Sequence, residues 1–186
     1  MVEIYPWTYI CSTIYILVLM SEHKHNVLFL CTGNSARSIM AEALLGRLGT
    51  DNFNAYSAGS RPKGCVHPMA IRLLKELGYE TEHFRSKSWD EFSGSDAPHF
   101  DLIFTVCDNA ANEVCPLWPG HPMTAHWGIP DPDGKYTDEQ EEYQAFLKAY
   151  QQLEKRIKQF IALPFETLGQ ASLKEQLIKI GHDINT

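Results

Sequence analysis

Apolar positions along the chain fall into two rhythms, short unbroken runs and helical stripes. Val27 to Leu30 (V-L-F-L) is an apolar run of the kind that makes a buried parallel strand. A stripe follows over Ser38 to Leu48, where Ile39, Met40, Ala43, Leu44 and Leu48 share one helical face and Gly49 supplies a stop. Phe53 to Ser57 predicts a second strand, closed by the turn S-A-G-S-R-P-K-G. His67-Pro68 opens another helix with proline in its first turn, its core face set by Ile71, Leu74 and Leu77 and its end by Gly78. Ser86 to Pro98 is polar and irregular, apart from a turn of helix at Trp89 to Phe92. Asp101 to Val106 (D-L-I-F-T-V) predicts the third strand. Cys115 to Pro132, rich in proline and tryptophan, is expected to hold no regular structure, and loops of that length in a compact domain tend to be functional. Thr137 and Gln140 form a capping box for a long helix with Tyr143, Phe146, Leu147, Tyr150, Leu153, Ile157 and Phe160 on one stripe, ended by Pro164. Phe165 to Ile180 reads as one more amphipathic helix, outside the main alternation.

Strands alternating with helices predict an α/β fold: one domain, a short parallel sheet flanked by helices on both faces. Residues 26–163 are expected to form this domain and residues 164–186 a helical tail. Residues 1–25 stand apart. Tyr9 to Met20 is apolar but well short of the about 20 residues that span a bilayer. No Lys or Arg precedes Lys24, as a signal peptide would require, and the segment has no polar face. Translation is therefore expected to begin at Met20, a weak membrane or partner anchor being the rival.

Composition changes this picture in two respects. The 186 residues carry a formal charge of −7, which argues against a nucleic-acid partner. Five cysteines, an odd number with no secretion signal, favour a reducing, cytoplasmic setting and reactive thiols over a disulfide framework. Cys11 and Cys65 are expected to be small buried hydrophobes.

The candidate chemistry sits where the first strand ends. Cys31 is followed by Thr32, Gly33, Asn34, Ser35, Ala36, Arg37 and Ser38, running into a helix. A loop of this kind turns successive N–H groups inward with a helix dipole behind them, a cradle for a tetrahedral oxyanion. Cys31 supplies a nucleophile, Arg37 a bidentate clamp, and Ser38 a donor to sulfur. Gly33 allows close approach and Asn34 tolerates a left-handed conformation. A leaving oxygen needs a proton, and Asp131, stiffened between Pro130 and Pro132, is the leading general acid, with Asp133 and Asp101 behind it. Cys107 ends the third strand as Cys31 ends the first, so both thiols are expected on one rim.

C-T-G-N-S-A-R-S, then Y-S-A-G at Tyr56 to Gly59 and H-W-G-I-P-D-P at His126 to Pro132, resemble the low-molecular-weight tyrosine phosphatase fold. More narrowly, the chain resembles the bacterial arsenate reductases built on it, over roughly Asn26 to Ile161. The resemblance implies that Cys31 is the nucleophile, that Arg37 and the amides of residues 32–37 bind the oxyanion, and that Asp131 is the acid. The phosphatases place tyrosines right after the D-P pair; here the sequence is D-P-D-G, with Tyr136 further on. V-C-D-N-A-A-N-E-V-C-P, with Cys107 and Cys115, is similar to the redox segment of thioredoxin-coupled reductases, one residue longer than usual. This implies a Cys31–Cys107–Cys115 disulfide relay on a mobile segment, serving arsenic detoxification. Ala36 stands where some members carry a further cysteine. Asn34, Glu42 and Ser57 match the potassium-binding members, but Lys87 takes the place of a ligating carboxylate, so no cation is expected.

The reading is thus an arsenate reductase, monomeric, with no tightly bound cofactor or metal, using thioredoxin or glutathione with glutaredoxin as external thiol reductant. Three rivals stand beside it. A reductase drawing on glutathione and glutaredoxin, or on another small thiol, would leave Cys107 and Cys115 as bystanders. A phosphatase acting on phosphotyrosine or a small phosphate ester needs only Cys31, Arg37 and Asp131. A zinc site would use Cys107, Cys115, His121 and His126, at a spacing looser than common zinc modules. For His121 and His126 loop packing and backbone hydrogen bonds are expected instead, and for Trp118 and Trp127 places in the core or at its rim.

Overall fold

A computed structural model describes residues 24–94, 96–113 and 118–183. The N-terminal segment with Cys11, and Cys115, lie outside the described residues.

β1 (His25–Cys31) is the centre of the architecture, because its apolar run is wanted on two faces at once. Val27, Phe29 and Cys31 point into the main core, while Leu28 and Leu30 point into a smaller one on the opposite face. A strand buried on both sides belongs inside a parallel sheet. β2 (Phe53–Gly59) pairs with one edge of β1, and β3 (Leu102–Thr105) with the other. β4 (Met123–His126) adds to β3, giving the order β2-β1-β3-β4, all parallel. β4 is a correction, since its four residues lie in the stretch expected to be irregular.

Five helices cover the main core: α1 (Arg37–Leu48), α2 (Pro68–Glu76), α3 (Asp108–Asn112), α4 (Glu139–Ile161) and α5 (Gln170–His182). The smaller face is closed by aromatic side chains, Phe100 and Trp118 with Tyr56, and by a 3-10 turn at Trp89–Phe92. The chain is thus one α/β domain whose helical cover is unequal on the two faces.

Four local expectations need adjustment. On α2 the buried face is Met69, Ala70, Leu73 and Leu74, so Ile71 is only half-buried and Leu77 is exposed. The cap of α4 is Asp138, whose Oδ1 accepts from the Glu141 amide at 2.8 Å, while Thr137 Oγ1 donates to Glu141 at 2.9 Å; Gln140 plays no part in it. Cys65 is exposed, because its segment lies on the loop from β2 to α2. α5, expected outside the alternation, packs on β4 with Leu177 and Ile180 in the main core.

Among the described residues no helix is long and apolar enough to cross a membrane.

Candidate active site

β1 delivers Cys31, buried, to its C-terminal end, and the following loop turns straight into α1. Ala36 occupies the N-cap position without a side-chain cap, so the first N–H groups of α1 are not consumed by a capping oxygen. Asn34 takes the left-handed conformation, φ 40°, which folds its own N–H back onto Cys31 Sγ at 3.2 Å. Ser38 Oγ lies 3.0 Å from the same sulfur. Asn34 Nδ2 donates to Ser38 Oγ at 2.9 Å, which fills an acceptor site of that hydroxyl and leaves its proton for Cys31. Two hydrogen-bonding groups of the loop and of α1 thus face the sulfur that the loop presents to the cavity.

Behind the loop a buried network holds Asn34 in place. Its Nδ2 also donates to Ser57 Oγ at 2.8 Å, and its Oδ1 accepts from the Lys87 amide at 2.8 Å. Ser57 Oγ donates to Glu42 Oε2 at 2.5 Å. Lys87 Nζ lies 3.5 Å from both Glu42 Oε2 and Ser57 Oγ, and the lysine is only 8% exposed. A buried ammonium therefore stands among the residues that match the potassium-binding arrangement. Burial pushes the Glu42 carboxyl up, and Lys87 is the main opposing influence. Gly59 permits this close packing: a Cβ there would stand 2.6 Å from Thr32 O and 2.9 Å from Asn34 N.

The mouth is a cavity of about 220 Å³ above Cys31. Thr32, Gly33, Ser35 and Ala36 form its floor, and Arg37, Arg61, Lys63, Asp131 and Asp133 its rim. Arg37 donates from Nη1 to Ile129 O at 3.1 Å and from Nη2 to Asp131 Oδ2 at 2.6 Å, joining the acid candidate to the clamp. Asp133 is held below the ordinary carboxylate range, first by its hydrogen bond from Lys63. It also lies 3.6 Å from His67 Nε2. Asp101 is removed from contention: it receives the Asn26 amide at 2.8 Å, at the opposite end of the sheet.

Cys107, buried, caps α3 and accepts from the Ala110 amide at 3.4 Å. Its sulfur lies 3.7 Å from Thr32 Oγ1 in the oxyanion loop. Because Leu30 pairs with Thr105, both thiols leave neighbouring strands at the same end, as the sequence predicts. His126 sits on β4 and bonds side chains instead of backbone, Thr105 Oγ1 at 2.8 Å and Asp108 Oδ1 at 3.1 Å. Trp127 is fully buried and Trp118 lines the smaller core. Sequence reasoning missed Arg61 and Lys63, reading them as part of a turn. The available signal was a pair of cations following a strand whose C-terminal end lies on the same rim as Cys31.

A family model for the low molecular weight phosphotyrosine protein phosphatases matches residues 26–177. The chain belongs to this family. Among the members it resembles, an arsenate reductase of Bacillus cereus (strain 03BB102) is 38% identical over 139 residues, covering 75% of this chain and 96% of the relative. A solved arsenate reductase in its phosphate-binding state superposes with a TM-score of 0.61 at 28% identity, covering 74% of this chain and 97% of that one. The tyrosine phosphatase Wzb from Escherichia coli K30, in complex with sulphate, gives 0.59 at 26% identity, covering 78% and 99%. The family architecture is thus shared by reductases and phosphatases, and the residues around the loop must separate them.

Proposed function

We propose that this family member is an arsenate reductase that passes oxidation from Cys31 to Cys107 and on to Cys115. The observation that carries the reading is the placement of Cys107, a second buried thiol on the strand beside Cys31, against Thr32 of the oxyanion loop. Phosphate-ester hydrolysis has no use for it. The similarity to curated arsenate reductases supports the same reading. So does the rim, where Tyr136 is turned away to donate to Pro132 O at 2.7 Å and the cavity wall is charged, not aromatic.

The chemistry balances with these groups. Arsenate sits on the loop amides and the Arg37 guanidinium, and the Cys31 thiolate attacks arsenic(V). Asp131 protonates the departing oxygen, which leaves as water. Asp133 is engaged with Lys63, whose hydrogen bond lowers its carboxyl below the ordinary range. The Cys107 thiolate then attacks Cys31 Sγ, the S–As bond breaks, and its electron pair goes to arsenic, releasing arsenite. Two thiol sulfurs have become a disulfide and arsenic(V) has become arsenic(III). Attack by Cys115 on Cys107 frees Cys31 as thiolate. The Cys107–Cys115 disulfide is then reduced by an external dithiol such as thioredoxin, or by glutathione with glutaredoxin.

Single-turnover reduction of arsenate by pre-reduced protein, with peptide mapping, tests the order of events. We expect one arsenite per chain and a Cys107–Cys115 bridge, a Cys31–Cys107 bridge in Cys115→Ser, and no arsenite above background in Cys31→Ser. Full multiple-turnover activity in both Cys107→Ser and Cys115→Ser, with any reductant, would sink the relay. The phosphatase reading keeps one specific support, since Cys31, Arg37 and Asp131 are complete without Cys107. Cys107→Ser should therefore still hydrolyse p-nitrophenyl phosphate.

A further inference from the structure

A helix cap needs one acceptor atom, and a histidine brings a ring with a second nitrogen. His67 is the N-cap of α2, its Nδ1 accepting from the Met69 amide at 3.2 Å. Asn, Asp, Ser and Thr are the preferred residues there, and each caps with a side chain that reaches no further. The His67 backbone is fixed as well, its amide donating to Ser35 O of the oxyanion loop at 2.9 Å. Its ring packs on Phe146 of α4, with centroids 4.8 Å apart. An imidazole whose Nδ1 accepts carries its proton on Nε2 when neutral. Here Nε2 lies 3.6 Å from each of two carboxylate oxygens, Asp133 Oδ1 and Glu142 Oε1. The first belongs to the acid loop, residues 130–134, and the second to α4.

Asp133 in turn holds Asp131. The Asp133 amide donates to Asp131 Oδ1 at 3.2 Å, while Asp131 Oδ2 accepts from Arg37 Nη2 at 2.6 Å. One contact on each oxygen sets the plane of an exposed carboxyl that would otherwise swing among its rotamers. Pro130 and Pro132 stiffen the chain ahead of Asp133, but Gly134 follows it, so there the loop relies on side-chain contacts. Tyr136 steadies Pro132, and Lys63 and His67 steady Asp133. Lys63 is the main influence lowering the Asp133 carboxyl, and His67 a lesser one. The two differ in stiffness. Lys63 reaches Asp133 on a half-exposed, flexible stem, whereas the His67 ring turns on two torsions and is held by its cap, its amide and Phe146. Lys63 supplies charge, and His67 supplies direction.

We propose that His67 is a positioning residue for the proton donor, holding Asp133 so that its amide orients the Asp131 carboxyl at the cavity mouth. The proposal rests on Asp131 as the general acid of the reading above. Without the ring, Asp131 is still present but less often aligned with the departing oxygen, and small misplacements of a catalytic group cost rate. The loss falls on substrates whose leaving oxygen most needs a proton.

Asparagine and glutamine separate the two nitrogens of the ring. The side-chain oxygen of asparagine lies as many bonds from the backbone as Nδ1 of histidine, and the nitrogen of glutamine as many as Nε2. His67→Asn therefore keeps the cap and loses the reach, whereas His67→Gln keeps a donor toward Asp133 and loses the cap. The full chain is assayed on p-nitrophenyl phosphate, whose leaving group departs readily without a proton, and on phenyl phosphate, whose leaving group does not. The ratio of the two kcat/KM values is expected to rise about three- to tenfold in His67→Asn, a fraction of the about 10²-fold or more that a general acid contributes. Its urea midpoint should stay near the wild type. His67→Gln should show the reverse, a lower midpoint and a ratio within about twofold of the wild type. Added to Asp133→Asn, His67→Asn should raise the ratio little further. A ratio unchanged in His67→Asn, one that follows the urea midpoint across the two variants, or full additivity with Asp133→Asn overturns the proposal. Asp131→Asn tells the two failures apart. If it also leaves the ratio unchanged, the general-acid reading fails and the role of His67 with it; if it raises the ratio while His67→Asn does not, only the role of His67 fails.

Discussion

Glu42 is less exposed than Glu113, Asp131 or Asp133, the other carboxylates near the oxyanion loop. Its carboxyl is pushed up by burial, opposed by the Lys87 ammonium and the Ser57 hydroxyl. The sign of the linkage follows. A carboxyl whose folded-state pKa is raised contributes stability that is full below its unfolded pKa and is lost as pH rises through the folded value. Lys87 limits that loss by compensating the ionised form. Lys87→Met leaves a buried carboxylate without its cation, and removing one member of a buried pair costs about 3 kcal/mol. Urea unfolding across mildly acidic to neutral pH should therefore find Lys87→Met close to wild type at the acid end and progressively weaker toward neutrality. Adding Glu42→Gln should flatten that slope. A penalty that is the same at every pH would show that Lys87 acts by packing and not by charge.

At the scale of elements, two glycines in helices predict opposite outcomes. Gly181, near the end of α5, faces β4, and a Cβ there would stand 2.2 Å from His126 O and 2.9 Å from Trp127 Cδ1. Gly181→Ala must lift α5 from the sheet, and overpacking of this kind costs about 1–3 kcal/mol. Gly46, in α1, has nothing within 4 Å of the same position, so Gly46→Ala should gain about 0.5–1 kcal/mol. Urea midpoints with unchanged slopes would measure both; a neutral Gly181→Ala would mean that α5 does not seat on His126 and Trp127 as described. The same helix marks where legibility in the sequence ended. β1 and β3 announce themselves as sheet-forming apolar runs, and β2 by the turn S-A-G-S-R-P-K-G that closes it. β4 does not: it is an edge strand of four residues between proline-rich turns, with only Ala125 buried. Without β4 there was no surface for α5 to cover, so α5 read as a tail. The oxyanion loop was legible because its chemistry is contiguous in sequence from Cys31 to Ser38. Arg61, Lys63 and Glu113 were not, because their partners lie tens of residues away and only the fold brings them to one rim.

At the scale of the molecule, α5 is tied to the catalytic end of the sheet through a buried arginine. Arg156, on α4, donates from Nη1 to Trp127 O and Gly128 O, each at 3.0 Å, and from Nη2 to Gly181 O at 3.2 Å. The Trp127 indole donates to Leu177 O at 3.0 Å. Two residues beyond Gly128 the chain reaches Pro130 and then Asp131, so the element that fixes the start of the acid loop is held partly from α5. Ending the chain after Pro164 would uncover Trp127 and leave Arg156 without one of its acceptors. It would also remove Leu177 and Ile180 from the main core, where truncating even one such side chain to alanine costs about 2–5 kcal/mol. The shortened chain should lose at least about 3 kcal/mol of stability by urea unfolding. At temperatures where it is still folded, hydrolysis of p-nitrophenyl phosphate should fall more than the alkylation rate of Cys31. The reason is that Asp131 loses its footing while the Cys31 loop keeps Asn34 and Ser38. Equal losses in both measurements would mean that α5 supports the whole domain evenly, with no particular hold on the acid loop.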